Sequence, residues 1–285
     1  MPRRHSTPDD ARARLAALLA ESEAPVAAAD VGIVVAHPDD ETIGCGAMLA
    51  RWQGASLIMV TDGAPTNLED VHALGFPTAA AYASARRREL NAALAIAGVS
   101  AENQLHLDIP DQQVVRRLAE VTRLLIALVE SRGLKMLFTH AFEGGHPDHD
   151  ATAFAVHAAA HLLRAAGRSI AIVEMPFYRD GGNSEMLRQS FMPLPETPET
   201  AIRLSPAAIA LKRSMMAAHR SQQQILAPFA IDVERFRLAP AHDFTRLPNQ
   251  GRLLYEQFNW GLSGAEWPLL ARAALADLGL ANAAS

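Results

Sequence analysis

Two short clusters in this 285-residue chain carry residue types that do chemistry. The first is His37-Pro38-Asp39-Asp40-Glu41. The second, far along the chain, is His146-Pro147-Asp148-His149-Asp150. Imidazoles and carboxylates crowded into a buried turn are costly unless a cation or a reaction uses them. His37, Asp40 and His149 together make a ligand set of two imidazoles and one carboxylate. Three protein ligands with a fourth position open is the pattern of a catalytic zinc rather than a structural one. A zinc so held polarises a carbonyl and brings the pKa of water towards neutrality.

Positioning such a set requires two strand ends at one rim. Residues 31–36, VGIVVA, read as a buried parallel strand that runs straight into the first cluster. Residues 135–138, KMLF, read as another, leading through 139–145 into the second cluster and then an Ala-rich helix at 151–166. Open α/β sheets bind ligands at the carboxyl ends of their strands, so equivalent loops would set the clusters side by side. Further strands are expected at 56–60, 104–107 and 169–173. Helices are expected at 79–97 and along Val114, Leu118, Val121, Leu125 and Leu128. The alternation predicts an α/β, Rossmann-like fold: a mostly parallel sheet with helices on both faces.

Residues 64–78 read as a site-lining loop. Beyond Phe177 the alternation stops, with strand signals only at 190–192 and 201–204 and helices at 207–226 and near 264–278. A single domain over 1–285 is expected, with a core at about 30–180 and an irregular C-terminal extension over 181–285 capping the sheet rim. The N-terminal stretch reads as an outer helix capped near Ser6 or Thr7.

The motifs AHPDDE at 36–41 and HPDH at 146–149 resemble those of the LmbE-like, or PIG-L, zinc-dependent N-acetylglucosaminyl deacetylases. Weaker matches are Arg86 followed by Glu89, Ala93 and Gly98, the Asp111 of DIPDQ, and His219-Arg220-Ser221-Gln222. The resemblance covers roughly residues 31–222. It implies Zn2+ on His37, Asp40 and His149, with Asp39 as general base. It further implies that His146 stabilises the oxyanion, as a protonated ring, or protonates the leaving amine, with Asp148 as its orienting partner. Arg86 and Asp111 are candidates for binding substrate. The implied reaction is hydrolysis of an N-acyl amide, most often N-acetyl, on a small-molecule amino-sugar conjugate. A metal-dependent hydratase on the same scaffold is the alternative, and the intact Asp39 and HPDH favour hydrolysis.

Simpler readings stand beside these. HPDD alone could be a helix N-terminus complemented by Asp40. Glu41 divides between ligand support and helix N-terminal charge, and Cys45 reads as a small buried thiol. His140 either orients a ligand or ends a strand in a hydrogen bond. Arg86 could belong to a solvated helix face, Asp111 to an ordinary turn, and His219 reads as structural or rim. His5, His72, His106, His157, His161 and His242 carry no motif and read as ordinary. Gly44-Cys45-Gly46 with Asp62 imitates a dinucleotide fingerprint, but its third glycine position is Leu49 and acids fill the turn where pyrophosphate would sit. A net charge of −5 offers no basic footprint for nucleic acid or an anionic membrane. No apolar run reaches the length of a membrane span. One cysteine and no signal-peptide core point to the cytoplasm, and a homo-oligomer is compatible with the sequence.

Overall fold

The computed structural model describes residues 8–281 except 184 and 259, and for residues 8 and 70 the backbone alone. In chain order the elements begin with α1 (Pro8–Leu18), β1 (Val26–Ala27), β2 (Val31–Val35), α2 (Asp40–Leu49), β3 (Trp52–Gln53) and β4 (Ser56–Pro65). Then come α3 (Leu68–Ala73), α4 (Ala79–Ile96), β5 (Gln104–Asp111), α5 (Leu118–Arg132), β6 (Met136–His140), α6 (Pro147–Ala165) and β7 (Ala171–Met175). The chain continues through β8 (Tyr178–Gly182), β9 (Glu185–Arg188), β10 (Thr200–Arg203), α7 (Pro206–Ala218), α8 (Gln223–Leu226), β11 (Val233–Leu238) and α9 (Trp267–Asp277).

The central sheet runs β10-β11-β7-β6-β2-β4-β5. The five strands from β7 to β5 are mutually parallel, and β11 and β10 extend that edge antiparallel. Burial on both faces explains why β2 and β6 read as unbroken apolar runs. In β2, Val34 points to one core with residues of α5, α6 and α9, while Ile33 and Val35 point to the other with α1, α2 and α4. From β2 the chain moves outward through β4 to β5, then returns to β6 on the opposite side. The sheet therefore switches direction between β2 and β6, the strands whose ends carry the two clusters.

Several boundaries differ from the expectations. HPDH does not precede its helix: His146 caps α6, with Pro147 in its first turn. The ring of His146 accepts the Asp148 N–H, so the cap is an imidazole rather than a hydroxyl or carboxylate. β4 runs on to Pro65 and β5 to Asp111, so Asp111 ends a strand instead of sitting in a turn. The residues expected as the loop at 64–78 include α3. The helix expected at 207–226 breaks at His219 (ψ 67°), beyond which a 3-10 turn and α8 follow. Residues 190–192 form no strand, whereas β8 and β9 pair just before them.

The C-terminal extension does more than cap the rim, because β10 and β11 belong to the main sheet. Strand β11, VERFRL, hides its period because its buried positions include two charges, Glu234 paired with Lys212 and Arg237 paired with Glu174. α1 packs outside through Leu15 and Leu18, and the cap expected at Ser6 or Thr7 lies outside the described residues.

Candidate active site

The crossing at β2 and β6 brings three of the expected residues into a tight triangle. His37 Nδ1 lies 3.2 Å from His149 Nε2 and 3.3 Å from Asp40 Oδ2, and His149 Nε2 lies 3.4 Å from Asp40 Oδ1. Atoms bound at about 2.0–2.2 Å to one tetrahedral zinc sit roughly 3.3–3.6 Å apart. The donor spacing therefore fits such an ion on this structure's own geometry. Neighbouring groups are less available to it. His140 Nε2 accepts the Ala36 N–H at 2.8 Å, and both oxygens of Asp148 accept backbone N–H groups from Gln112 and Val114. His140 is thus a hydrogen-bonded strand end, as one of its two readings had it.

The local backbone explains how Asp39 and Asp40 face different ways. Asp40 folds back to accept the His37 N–H at 2.7 Å, as the first residue of α2. Asp39, the residue before, has φ +129°, a conformation costly for a side-chain-bearing residue and common where function over-determines the chain. Its N–H donates to Glu41 Oε2 at 2.9 Å. Its carboxylate receives Arg86 Nη2 at 2.9 Å, and the same guanidinium binds the carbonyls of Pro38 and Gly63. Gly63 has φ +69°, and a Cβ there would come within 2.8 Å of both the guanidinium and Pro38.

The structure places Arg86 and Asp111 against groups of the chain itself. Arg86 is 5% exposed and bonded to Asp39 and two carbonyls, so a solvated face does not describe it. Asp111 Oδ1 is 3.0 Å from His37 Nε2, which fixes the ring with Nδ1 turned into the triangle. Asp148 meets His146 through its backbone amide, not its carboxylate; the nearest carboxylate to His146 Nε2 is Asp111, at 3.9 Å.

Electrostatics sort these groups. Burial pushes Asp39 up to about 7 against the pull of Arg86. Burial opposes ionisation of Asp40 too, but His149 and His140 outweigh it and hold its pKa well below the carboxylate range. His37 goes the other way: burial lowers it, and Asp111, Asp148 and Asp40 raise it well above its ordinary value. Burial and His37 hold His146 well below its ordinary value, so that ring is neutral, not protonated. With Nδ1 accepting the Asp148 amide, its proton sits on Nε2.

Glu41 and His219, both singled out in the sequence, meet here, whereas Tyr178, Trp260 and Gly145 carried no sequence signal for the site. Glu41 Oε1 pairs with His219 Nε2 at 3.2 Å, tying α2 to the end of α7 and giving the HRSQ stretch a structural role. Tyr178 covers His149 at 5.2 Å between ring centroids, and Trp260 covers His146 at 4.6 Å. A Cβ at Gly145 would lie 1.9 Å from the Tyr178 carbonyl, so only glycine lets β8 pass this close. Such contacts join residues far apart in the chain, which no local pattern encodes.

Residues 33–160 match the family model described as PIG-L: GlcNAc-PI de-N-acetylase. That span contains all eight of the expected site residues. Solved structures agree in fold with this chain. The A40926 pseudoaglycone deacetylase Dbv21 matches at a TM-score of 0.56 and 20% identity, over 74% of this chain and 96% of its own. A zinc-inhibited form of the teicoplanin deacetylase Orf2 matches at 0.56 and 18% identity, over 75% of this chain and 99% of its own. The N,N'-diacetylchitobiose deacetylase from Pyrococcus horikoshii matches at 0.53 and 20%, over 82% and 93%. No curated protein matches the chain. Among the described residues no helix is long and apolar enough to cross a membrane.

Proposed function

We propose that this PIG-L-domain protein is a zinc-dependent N-deacetylase that hydrolyses the acetamide of a small amino-sugar conjugate, releasing acetate and a free amine. The observation that carries this reading is the triangle of His37 Nδ1, Asp40 and His149 Nε2, none more than 3.4 Å from the next, with a second, buried carboxylate beside it. His37, Asp40 and His149 would hold the ion. When bound, zinc supplies a Lewis acid for the amide carbonyl and acidifies water.

The chain's own residues do the rest. Asp39, poised near 7 and aimed by Arg86, takes the proton of the attacking water and returns it to the departing nitrogen. His146 Nε2–H donates to the oxygen on which negative charge develops, as a neutral ring does without first being protonated. Asp111 holds His37 in the tautomer that leaves Nδ1 free, and Asp148 anchors the β5–α5 connection against α6. Tyr178 and Trp260 cover the imidazoles and restrict water. The amino-sugar preference follows the GlcNAc-PI and N,N'-diacetylchitobiose that the relatives' names give. A cytoplasmic enzyme acting as one folded unit fits the single cysteine and the shared sheet.

A panel of N-acetylglucosamine conjugates, assayed for acetate and free amine with and without a chelator, tests the reading. Zinc-restorable release of both products is expected. Release that survives complete chelation, or no amine from any conjugate, overturns it.

A further inference from the structure

Away from the rim, three residues from separate elements converge at the antiparallel edge of the sheet: His157 on α6, Glu174 on β7 and His242 after β11. Their donor atoms all lie within 4.8 Å of one another. Glu174 Oε1 is 2.5 Å from His242 Nε2 and 4.0 Å from His157 Nε2, and the two rings stand T-shaped at 5.1 Å. The other oxygen of Glu174 receives Arg237 at 2.7 Å. A hydrogen-bonded core histidine accounts for His242 and an ion pair for Arg237. Neither accounts for His157, whose Nε2 is buried without a hydrogen-bond partner while facing a carboxylate beyond hydrogen-bonding reach.

We propose that His157, Glu174 and His242 form a second zinc site, distinct from the one at the rim. Two imidazoles and a carboxylate suit a late first-row divalent cation, zinc foremost. The observed separations of 2.5 and 4.0 Å straddle the roughly 3.3 Å that two zinc ligands keep, so sub-ångström ring movements equalise them. His157 Nε2 is buried and unpartnered, so it gives up no hydrogen bond to bind an ion. His157 and His242 also line a cavity of about 640 Å³, together with His161, one helical turn beyond His157. The ion's place in the fold gives it a role. β11 meets β7 over only two residue pairs, Arg237 with Glu174 and Leu238 with Val173. A metal there clamps that short junction, and the segment after it, onto α6.

Metal stoichiometry tests the proposal independently of the rim. Protein stripped with chelator and reloaded with Zn2+ is weighed for metal by plasma mass spectrometry and melted with and without zinc. Wild type is expected to hold two equivalents, His149→Ala one, and His149→Ala/His242→Ala none. Added zinc should raise the melting temperature of His149→Ala and leave that of the double variant unchanged. His157→Gln, which deletes a nitrogen bonded to nothing in the protein, makes the same test if His242→Ala fails to fold. It should lose one equivalent and keep wild-type deacetylation. If the rim holds no zinc, wild type still binds one equivalent and His157→Gln abolishes it. Unchanged stoichiometry and unchanged zinc-dependent melting in both His242→Ala and His157→Gln overturn the second site.

Discussion

Replacing Asp111 by Asn separates its two readings, substrate contact and support for His37. The substitution keeps shape and an acceptor oxygen but removes the charge facing His37 Nε2 at 3.0 Å. A hydrogen bond to a charged group contributes about 1.5–3 kcal/mol and a neutral one about 0.5–1.5, so the loss is on the order of 1–1.5 kcal/mol. At about 1.4 kcal/mol per decade, that is roughly tenfold in zinc affinity. Loss of a carboxylate behind a metal-bound histidine commonly costs about 10- to 100-fold, which sets the upper end. Competition for zinc against a chromophoric chelator reads the affinity, and deacetylation at saturating zinc reads the rest. Asp111→Asn should bind zinc about 10- to 100-fold more weakly with KM little changed. Unaltered zinc affinity combined with a raised KM would show that Asp111 touches substrate and would refute the supporting role.

Arg86→Met strips the cation from a buried Asp39, so a loss of about 3–5 kcal/mol in urea unfolding and a fall in kcat are expected, with Arg86→Lys recovering part of both; a change in KM alone would contradict this. Lys212→Met leaves Glu234 buried without its ion pair and Ile43 without its donor, costing about 3–5 kcal/mol. Lys212→Met/Glu234→Gln should unfold at higher urea than that single variant, since the amide oxygen still accepts the Ala47 N–H. Burial raises Glu143 from 4.5 to about 8, so the folded protein holds this proton more tightly than the unfolded chain. Stability from this group therefore falls as pH rises from about 4.5 to about 8, by up to roughly 5 kcal/mol at 1.36 kcal/mol per unit. Glu143→Gln should flatten the melting curve over that window, and slopes identical to wild type would count against it.

The rim was legible because its signals are local. A β-branched run ending in HPDD, repeated in kind by MLFTH before HPDH, fixes two strand ends, and the crossing between β2 and β6 does the rest. Partners across the fold were not legible. Arg86 and Asp111 were recognisable as belonging to the site, but their orientation depends on Pro38, Gly63 and His37, which only folding brings to them. Strand β11 escaped because buried Glu234 and Arg237 occupy positions where the pattern looks for apolar residues, and their partners Lys212 and Glu174 lie far off in sequence. His157 and His242 read as ordinary for the same reason: the carboxylate between them comes from a third element.

Zinc content and deacetylation rate, measured together on Asp39→Asn, bear most directly on the division of labour at the rim. The asparagine keeps the contact with Arg86 and leaves His37, Asp40 and His149 in place. Wild-type zinc with a rate lower by about a hundred- to ten-thousand-fold is expected, the share of a positioned base. That is roughly 3 to 5 kcal/mol of barrier at 1.36 kcal/mol per decade. Full activity, or loss of the zinc itself, would contradict the assignment of Asp39 as the base beside a metal held by its neighbour.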